Sequence, residues 1–113
     1  MPADELDLLQ GTLDLLVLRA LSFGPRHGHA VARFIRQGSG QAFRILDGAL
    51  YTSLHRLEAR AAVGANWGLS DRGKRAKFYD LTAAGRRELR DQASSWARYS
   101  AAVGLVLKAA PQE

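Results

Sequence analysis

The C-terminal part of the chain carries apolar or small side chains at alternating steps of four and three residues. This heptad spacing continues for almost three repeats through Leu89, Ala93, Trp96, Ser100, Val103 and Leu107. A helix over residues 83–109 would be about 40 Å long at a rise of 1.5 Å per residue, and the rest of the sequence offers no helix to cover it. We therefore expect two chains to pair through this helix, with Leu89, Ala93, Trp96, Val103 and Leu107 in the interface.

The first predicted helix is apolar on more than one face. Residues 8–21 read LLQGTLDLLVLRAL, and a helix of this kind is buried on several sides. A chain of 113 residues has little interior for it, so a second subunit is expected to cover part of it. That adds Leu9, Leu13 and Leu16 to the expected dimer interface, with Asp14 as a solubilising charge or at its rim.

Two further helices and a β-hairpin are predicted between these segments. The second helix should begin near His27 or Gly28, and the third should run from an N-cap at Asp47 to about Arg60. After residue 64 the apolar side chains alternate, residues 70–74 have turn chemistry, and residues 75–81 are typical of a second strand. The predicted fold class is mainly α with a small β-hairpin: a winged helix-turn-helix over residues 1–82 and a long C-terminal dimerisation helix over residues 83–113.

The third helix has a polar face suited to DNA. With Leu50, Leu54 and Leu57 inward, residues 49, 52, 53, 56 and 60 are expected to face outward. Thr52 and Ser53 are short enough for close approach, and Arg56 can donate two hydrogen bonds to guanine O6 and N7. Phosphate contacts are expected from Tyr51, His55, Arg72, Lys74, Arg75 and Lys77.

The charge distribution favours a polyanionic partner. The net charge is +5, and residues 26–60 carry six arginines against Asp47 and Glu58, a balance of +4. Residues 1–20 carry one arginine against four carboxylates, a balance of −3. The positive charge therefore coincides with the predicted second and third helices, which makes nucleic acid a plausible partner.

The sequence argues against an enzyme, a cofactor and a metal site. It contains no cysteine, and His27 and His29 lie on different sides of a helix with no nearby carboxylate to complete a zinc set. Nucleophile-elbow, phosphate-loop and dinucleotide signatures are missing. No apolar run approaches the roughly 20 residues that span a bilayer, and the first residues are acidic, so a cytoplasmic protein without a membrane partner is expected.

Several motifs together resemble the PadR family of transcriptional regulators, of the short type with one C-terminal helix. They are residues 11–18 (GTLDLLVL), 24–28 (GPRHG), 48–51 (GALY), 54–58 (LHRLE) and 75–85 (RAKFYDLTAAG). The resemblance implies a homodimer assembled through the first and last helices. It also implies binding to inverted-repeat operators in double-stranded DNA, usually as a repressor, and often release by a small effector.

The resemblance also assigns individual residues. The DNA-contacting tyrosine of the family falls on Tyr51 and its basic wing residues fall within residues 72–77. His29 stands where the family commonly has tyrosine, and Thr52 where it commonly has proline. His29 is still expected to contact phosphate, with a charge that depends on pH.

The role of Trp96 and two alternative functions of the protein stay open. Trp96 can fill the dimer core, or a symmetric pair of these residues can hold a small aromatic effector, whereas Trp67 is expected to pack beneath the wing. The competing functions are a protein-interaction module and a ligand-sequestering protein with weak DNA contact. A steep loss of DNA binding with rising salt would separate DNA binding from both.

Overall fold

Three short helices, a β-hairpin and one long helix follow each other along the chain. The structure is a computed structural model that describes residues 6–8 and 11–112. The elements are β1 (Leu6–Asp7), α1 (Thr12–Leu21), β2 (Arg26–His27), α2 (Gly28–Gly38), β3 (Phe43–Arg44), α3 (Asp47–Ala59), β4 (Val63–Leu69), β5 (Arg75–Leu81) and α4 (Ala83–Lys108). The predicted fold class, mainly α with a small hairpin in winged-helix order, is confirmed.

The hydrophobic core lies between α1, α2 and α3. Val17, Leu18 and Val31 are fully buried there, together with Leu54 and Leu57 of α3. Because α2 and α3 each direct one apolar stripe toward the more fully buried α1, the three helices of 10 to 13 residues bury one another, and the opposite faces of α2 and α3 are left to solvent.

Helix α1 is shorter and more buried within its own chain than its sequence suggested. It begins at Thr12, after Gly11 in the left-handed conformation at φ 87°, instead of at residue 8. Leu13 is only 9% exposed and belongs to the chain's own core, so it offers little surface to the dimer interface in which it was expected. Leu16 is partly buried against that core, and the expectation for Leu9 lies outside the described residues.

The β-hairpin has the predicted position and one additional strand. β4 and β5 pair antiparallel from Val63 opposite Leu81 to Leu69 opposite Arg75, and β2 pairs with the other edge of β5. The expectation that Trp67 packs beneath the wing is wrong, because its side chain is 61% exposed. Its ring lies 4.4 Å from the Arg75 guanidinium; both side chains are on the face of the hairpin that carries Tyr79, but nearer its free end, where the core no longer covers them.

Helix α4 is anchored at its N-terminus and exposed along the rest of its length. Thr82 caps it as predicted, accepting a hydrogen bond from the Gly85 amide at 3.0 Å and donating to the Ala61 carbonyl at 2.6 Å. Leu89 packs partly against the core, whereas Trp96, Val103 and Leu107 are exposed. Within the described residues, no helix is both long and apolar enough to cross a membrane.

Candidate nucleic-acid interface

Helix α3 buries four residues of one stripe, and one of them is polar. Leu50, Ser53, Leu54 and Leu57 are its buried side chains, and Ser53 is 0% exposed. The expectation that Ser53 faces outward to DNA is therefore wrong. Positions 50, 53, 54 and 57 form the i, i+3, i+4, i+7 pattern of a single helical face, so Ser53 has to point inward once the leucines do.

Ser53 hydrogen-bonds to a buried carboxylate on α1. Its hydroxyl donates to Asp14 Oδ1 at 2.6 Å. Arg56 donates to the same carboxylate through Nη2 to Oδ1 at 2.5 Å and through Nε to Oδ2 at 3.3 Å. Asp14 is buried, so the expectation of a solubilising or dimer-rim charge is wrong. The carboxylate joins α1 to α3.

The environment of Asp14 favours its charged form. Burial raises the pKa of the carboxyl, but hydrogen bonds from Arg56 and Ser53 and the positive charges of Arg56 and Arg60 outweigh it, so the pKa lies below its ordinary value. The hydrogen bond from Arg56 to Asp14, reinforced by the carboxylate charge, in turn raises the pKa of the guanidinium. Both groups are thus ionised at neutral pH.

The same flank of α3 is tied to α4. Arg60 donates through Nη2 to Asp14 Oδ2 at 3.4 Å and also forms an ion pair with Glu88 of α4. Gln92, one turn further along α4, donates to the Glu88 carboxylate at 2.6 Å. Asp14, Ser53, Arg56, Arg60 and Glu88, which we call the α3 brace, connect the three helices.

The opposite flank of α3 contacts α2 and the wing. The Tyr51 ring covers Gly28 so closely that an added Cβ there would lie 2.5 Å from the Tyr51 hydroxyl oxygen. Lys77 of β5 donates to Glu58 Oε1 at 3.4 Å. These contacts and the brace hold α3 from both sides, which fixes the side chains that it presents to solvent.

The exposed face of α3 is centred on a strip of four residues. Gly48, Thr52, His55 and Ala59 are all exposed, at steps of four, three and four residues. Arg56 lies beside this strip, on the flank of the brace, with its side chain 51% exposed. Of the α3 residues expected to contact DNA, Thr52 and His55 lie in this strip, Tyr51 and Arg56 are exposed on its two flanks, and Ser53 is buried.

A basic groove of about 750 Å³ runs between the α2 N-terminus, Tyr51 and the wing. It gathers the predicted residues His29, Tyr51, Arg72, Lys74, Arg75 and Lys77. Arg33 and Arg36 of α2 also line it. The sequence reasoning missed these two, although their spacing of three residues places them on one helical face. Among the lining residues that the structure describes, six cations face one carboxylate, Asp71.

Trp96 borders a second, shallower groove of about 510 Å³ between the start of α1 and the middle of α4. Its ring centroid lies 6.3 Å from that of Tyr99. Thr12, Leu15 and Asp91 also line the groove. An apolar wall with a few polar groups is suited to a flat organic molecule or to another protein side chain.

Several known proteins resemble this chain in sequence. The Transcriptional regulator PadR-like family matches over residues 17–91. An uncharacterized protein of Lysinibacillus sphaericus is 30% identical over 103 residues, covering 90% of this chain and 94% of the relative. An uncharacterized 37.1 kDa protein in a Streptomyces fradiae transposon is 44% identical over 89 residues, which are 79% of this chain but 24% of that protein.

Solved structures show the same fold. A PadR family transcriptional regulator from Eggerthella lenta has a TM-score of 0.76 at 29% identity, covering 89% of this chain and 86% of its own. A transcriptional regulator from Clostridium thermocellum has a TM-score of 0.79 at 21% identity, covering 88% and 93%. With the family match over most of the winged helix, they identify the protein: the chain belongs to the PadR-like family of transcriptional regulators, which are DNA-binding winged-helix proteins.

Proposed function

We propose that this chain is a homodimeric repressor that binds an inverted-repeat operator through α3 and the wing. The observation that carries the proposal is the basic groove, whose six cationic side chains adjoin the exposed end of α3. Its excess of positive charge suits a phosphate backbone. His29, Tyr51, Arg72, Lys74, Arg75 and Lys77 would contact phosphates while α3 enters the major groove.

The exposed surface of α4 supports pairing of two chains. Trp96, Val103 and Leu107 lie on one stripe and are all exposed in the single chain. A helix with such an apolar stripe is stable in water when another helix covers it. We therefore propose α4, with Leu16 of α1, as the dimer contact, and residues 83–113 as a dimerisation unit attached to a DNA-binding unit of residues 1–82.

The groove beside Trp96 is our candidate effector site. An aromatic effector stacked on Trp96 would lie next to α1 and α4, the two helices proposed to set the distance between the subunits. Such a molecule releases DNA only if it binds the DNA-free arrangement more tightly than the DNA-bound one.

The test is selection of duplex DNA from a random pool by the purified chain, followed by affinity measurements across a salt series. A repressor of this kind should select inverted repeats with half-sites about 34–36 Å apart. The logarithm of its affinity should fall linearly with the logarithm of salt concentration, by about 0.9 for each phosphate contact. Weak binding without sequence preference or salt dependence would contradict the proposal and favour a protein-interaction or ligand-sequestering role.

A further inference from the structure

We propose that Thr52 and His55 read the operator sequence, and that Arg56 is a positioning residue held by Asp14. The inference rests on the proposed DNA-binding function of α3 and assigns its specificity to particular side chains. Arginine is the commonest partner of guanine in protein–DNA complexes, so the sequence alone favours Arg56. The structure favours the two shorter residues instead.

The guanidinium of Arg56 is already engaged. Its Nε and Nη2 donate to the two oxygens of Asp14 at 3.3 and 2.5 Å, a bidentate arrangement that uses one full edge of the guanidinium. The carboxylate is buried and also accepts a hydrogen bond from the inward-facing Ser53. If Arg56 turned toward a base, Asp14 would keep only Ser53 and the longer contact from Arg60, and the loss of its main ionic partner is costly for a buried carboxylate.

Thr52 and His55 lie centrally on the exposed face of α3, whereas Arg56 lies on its flank. They are three residues apart on the outward face of α3, and the flanking positions of that strip are Gly48 and Ala59. Because these neighbours have almost no side chain, the helix can approach the floor of a major groove until short side chains reach the base edges. The Thr52 hydroxyl and methyl suit a polar base edge or a thymine methyl, and a His55 ring N–H suits N7 of a purine.

The α3 brace explains how Arg56 can still matter for DNA binding. Asp14 and Glu88 hold one flank of α3 through Arg56 and Arg60, while Tyr51 and Glu58 contact α2 and the wing on the other flank. The brace fixes the rotation of α3 about its own axis. Loss of Arg56 should therefore weaken binding to every sequence by a common factor.

The experiment is a scan of all single base-pair substitutions across the half-site selected by the wild-type protein. His55→Ala and the near-isosteric Thr52→Val should each reduce the penalty at one or two adjacent base pairs by about five- to tenfold, as expected for a lost hydrogen bond to a base. Arg56→Ala and Asp14→Asn should lower affinity for all sequences and leave the profile of penalties unchanged. Arg56→Lys should recover part of that affinity, because an ammonium can still pair with Asp14.

His29→Ala is the matched control, because it removes an exposed histidine beside the basic groove but outside α3. It should lower affinity for all sequences alike. If His55→Ala and Thr52→Val leave the profile unchanged, or if Arg56→Ala or Arg56→Lys removes discrimination at one guanine, the inference is wrong. Failure of the wild-type chain to select any duplex would instead overturn the proposed function, and with it the premise of this one.

Discussion

The role of Arg56 depends on two free energies: that of a contact to guanine and that of its ion pair with Asp14. A good bidentate contact from arginine to guanine contributes about 1–3 kcal/mol of discrimination. Breaking a buried ion pair by removing one partner typically costs about 3–5 kcal/mol. Arg56 is half exposed and Arg60 also reaches Asp14, so solvent screening places the cost here below that range. The cost is then comparable with the discrimination that a guanine contact would supply, and because Asp14 already holds one edge of the guanidinium, Arg56 should stay on Asp14.

Asp14→Asn tests the energetic role of this carboxylate. Asparagine keeps the shape but loses the charge that Arg56, Ser53 and Arg60 share, so the free energy of unfolding at pH 7 should fall by about 1–3 kcal/mol. Urea unfolding of the two proteins measures this difference.

The lowered pKa of Asp14 predicts how the stability of the fold depends on pH. The folded-state pKa of Asp14 lies below its ordinary value of 3.8. The stabilisation should therefore be complete above that value and disappear as pH falls through the lower folded-state pKa. Wild type and Asp14→Asn should converge in stability below about pH 3.8. A difference that stays constant from pH 7 to pH 3 would show that the charge of Asp14 does not stabilise the fold.

Gly85→Ala probes the close packing where α4 leaves the wing. An added Cβ would overlap the Ala62 carbonyl oxygen far inside van der Waals distance, and a backbone atom cannot move aside as a side chain can. We expect a loss of roughly 1–3 kcal/mol in the free energy of unfolding, as for other overpacked sites. Gly48→Ala is the control: nothing lies within 4 Å of that Cβ, so it should stabilise by about 0.5–1 kcal/mol. Equal effects of the two substitutions would contradict this close packing.

At the scale of elements, periodicity predicted α2, α3, both hairpin strands and α4 to within two residues. It failed at two helix starts and at the shortest strands. The start of α1 was wrong because the left-handed Gly11 interrupts an apolar run that looks continuous. The N-cap of α3 is Leu46 instead of Asp47, a shift of one residue. β1 and β2, which were not predicted, have two residues each and exist only because a partner strand lies beside them.

At the candidate site, local sequence identified some of the residues but not those whose position depends on a partner distant in sequence. Residue type and position identified the basic wing and Tyr51. Ser53 and Arg56 were predicted to face outward, because their partner could not be recognised from the sequence of α3. That partner, Asp14, lies 39 and 42 residues away from them. The full stripe of residues 50, 53, 54 and 57 could have revealed the inward serine. Nothing local to α3 could have revealed a buried carboxylate on α1.

The wing should contribute charge without sequence preference. Arg72 and Lys74 are exposed at its tip and line the basic groove. Replacing both by alanine should weaken binding to operator and random DNA alike. The slope of log affinity against log salt should fall by about 0.9 for each lost phosphate contact. Affinity measured from low to moderate salt gives the slope.

Lys108→Ala is the control for net charge, because it removes one cation from the far end of α4. Its salt slope should equal that of the wild type. A wing variant with an unchanged slope would show that the tip does not touch phosphate. A loss confined to the operator would show that the wing reads sequence instead.

The whole molecule is elongated because α4 extends from the winged helix. Its extents are 65 × 37 × 21 Å, and the protruding half of α4 carries exposed Val103, Val106 and Leu107 near one side of the helix. Such a shape leaves apolar surface that folding of one chain does not cover. A second α4 lying along the first would cover it and would place two α3 helices on one face of the pair, as an inverted repeat requires.

Val103→Glu tests whether the heptad stripe forms the dimer contact. Val103 is 40% exposed and lies on the stripe, whereas Leu105 is 72% exposed and lies about 200° around the helix from it, at 100° per residue. Glutamate is a good helix former, so Val103→Glu should place a charge in the seam without unwinding α4. Sedimentation should show a weakened dimer, and operator affinity should fall with it, because each α3 alone binds only a half-site.

Leu105→Glu makes the same chemical change on the opposite side and should leave both measurements unchanged. If both variants stay dimeric, the chains associate through another surface. If Leu105→Glu alone dissociates, the heptad stripe is not the seam.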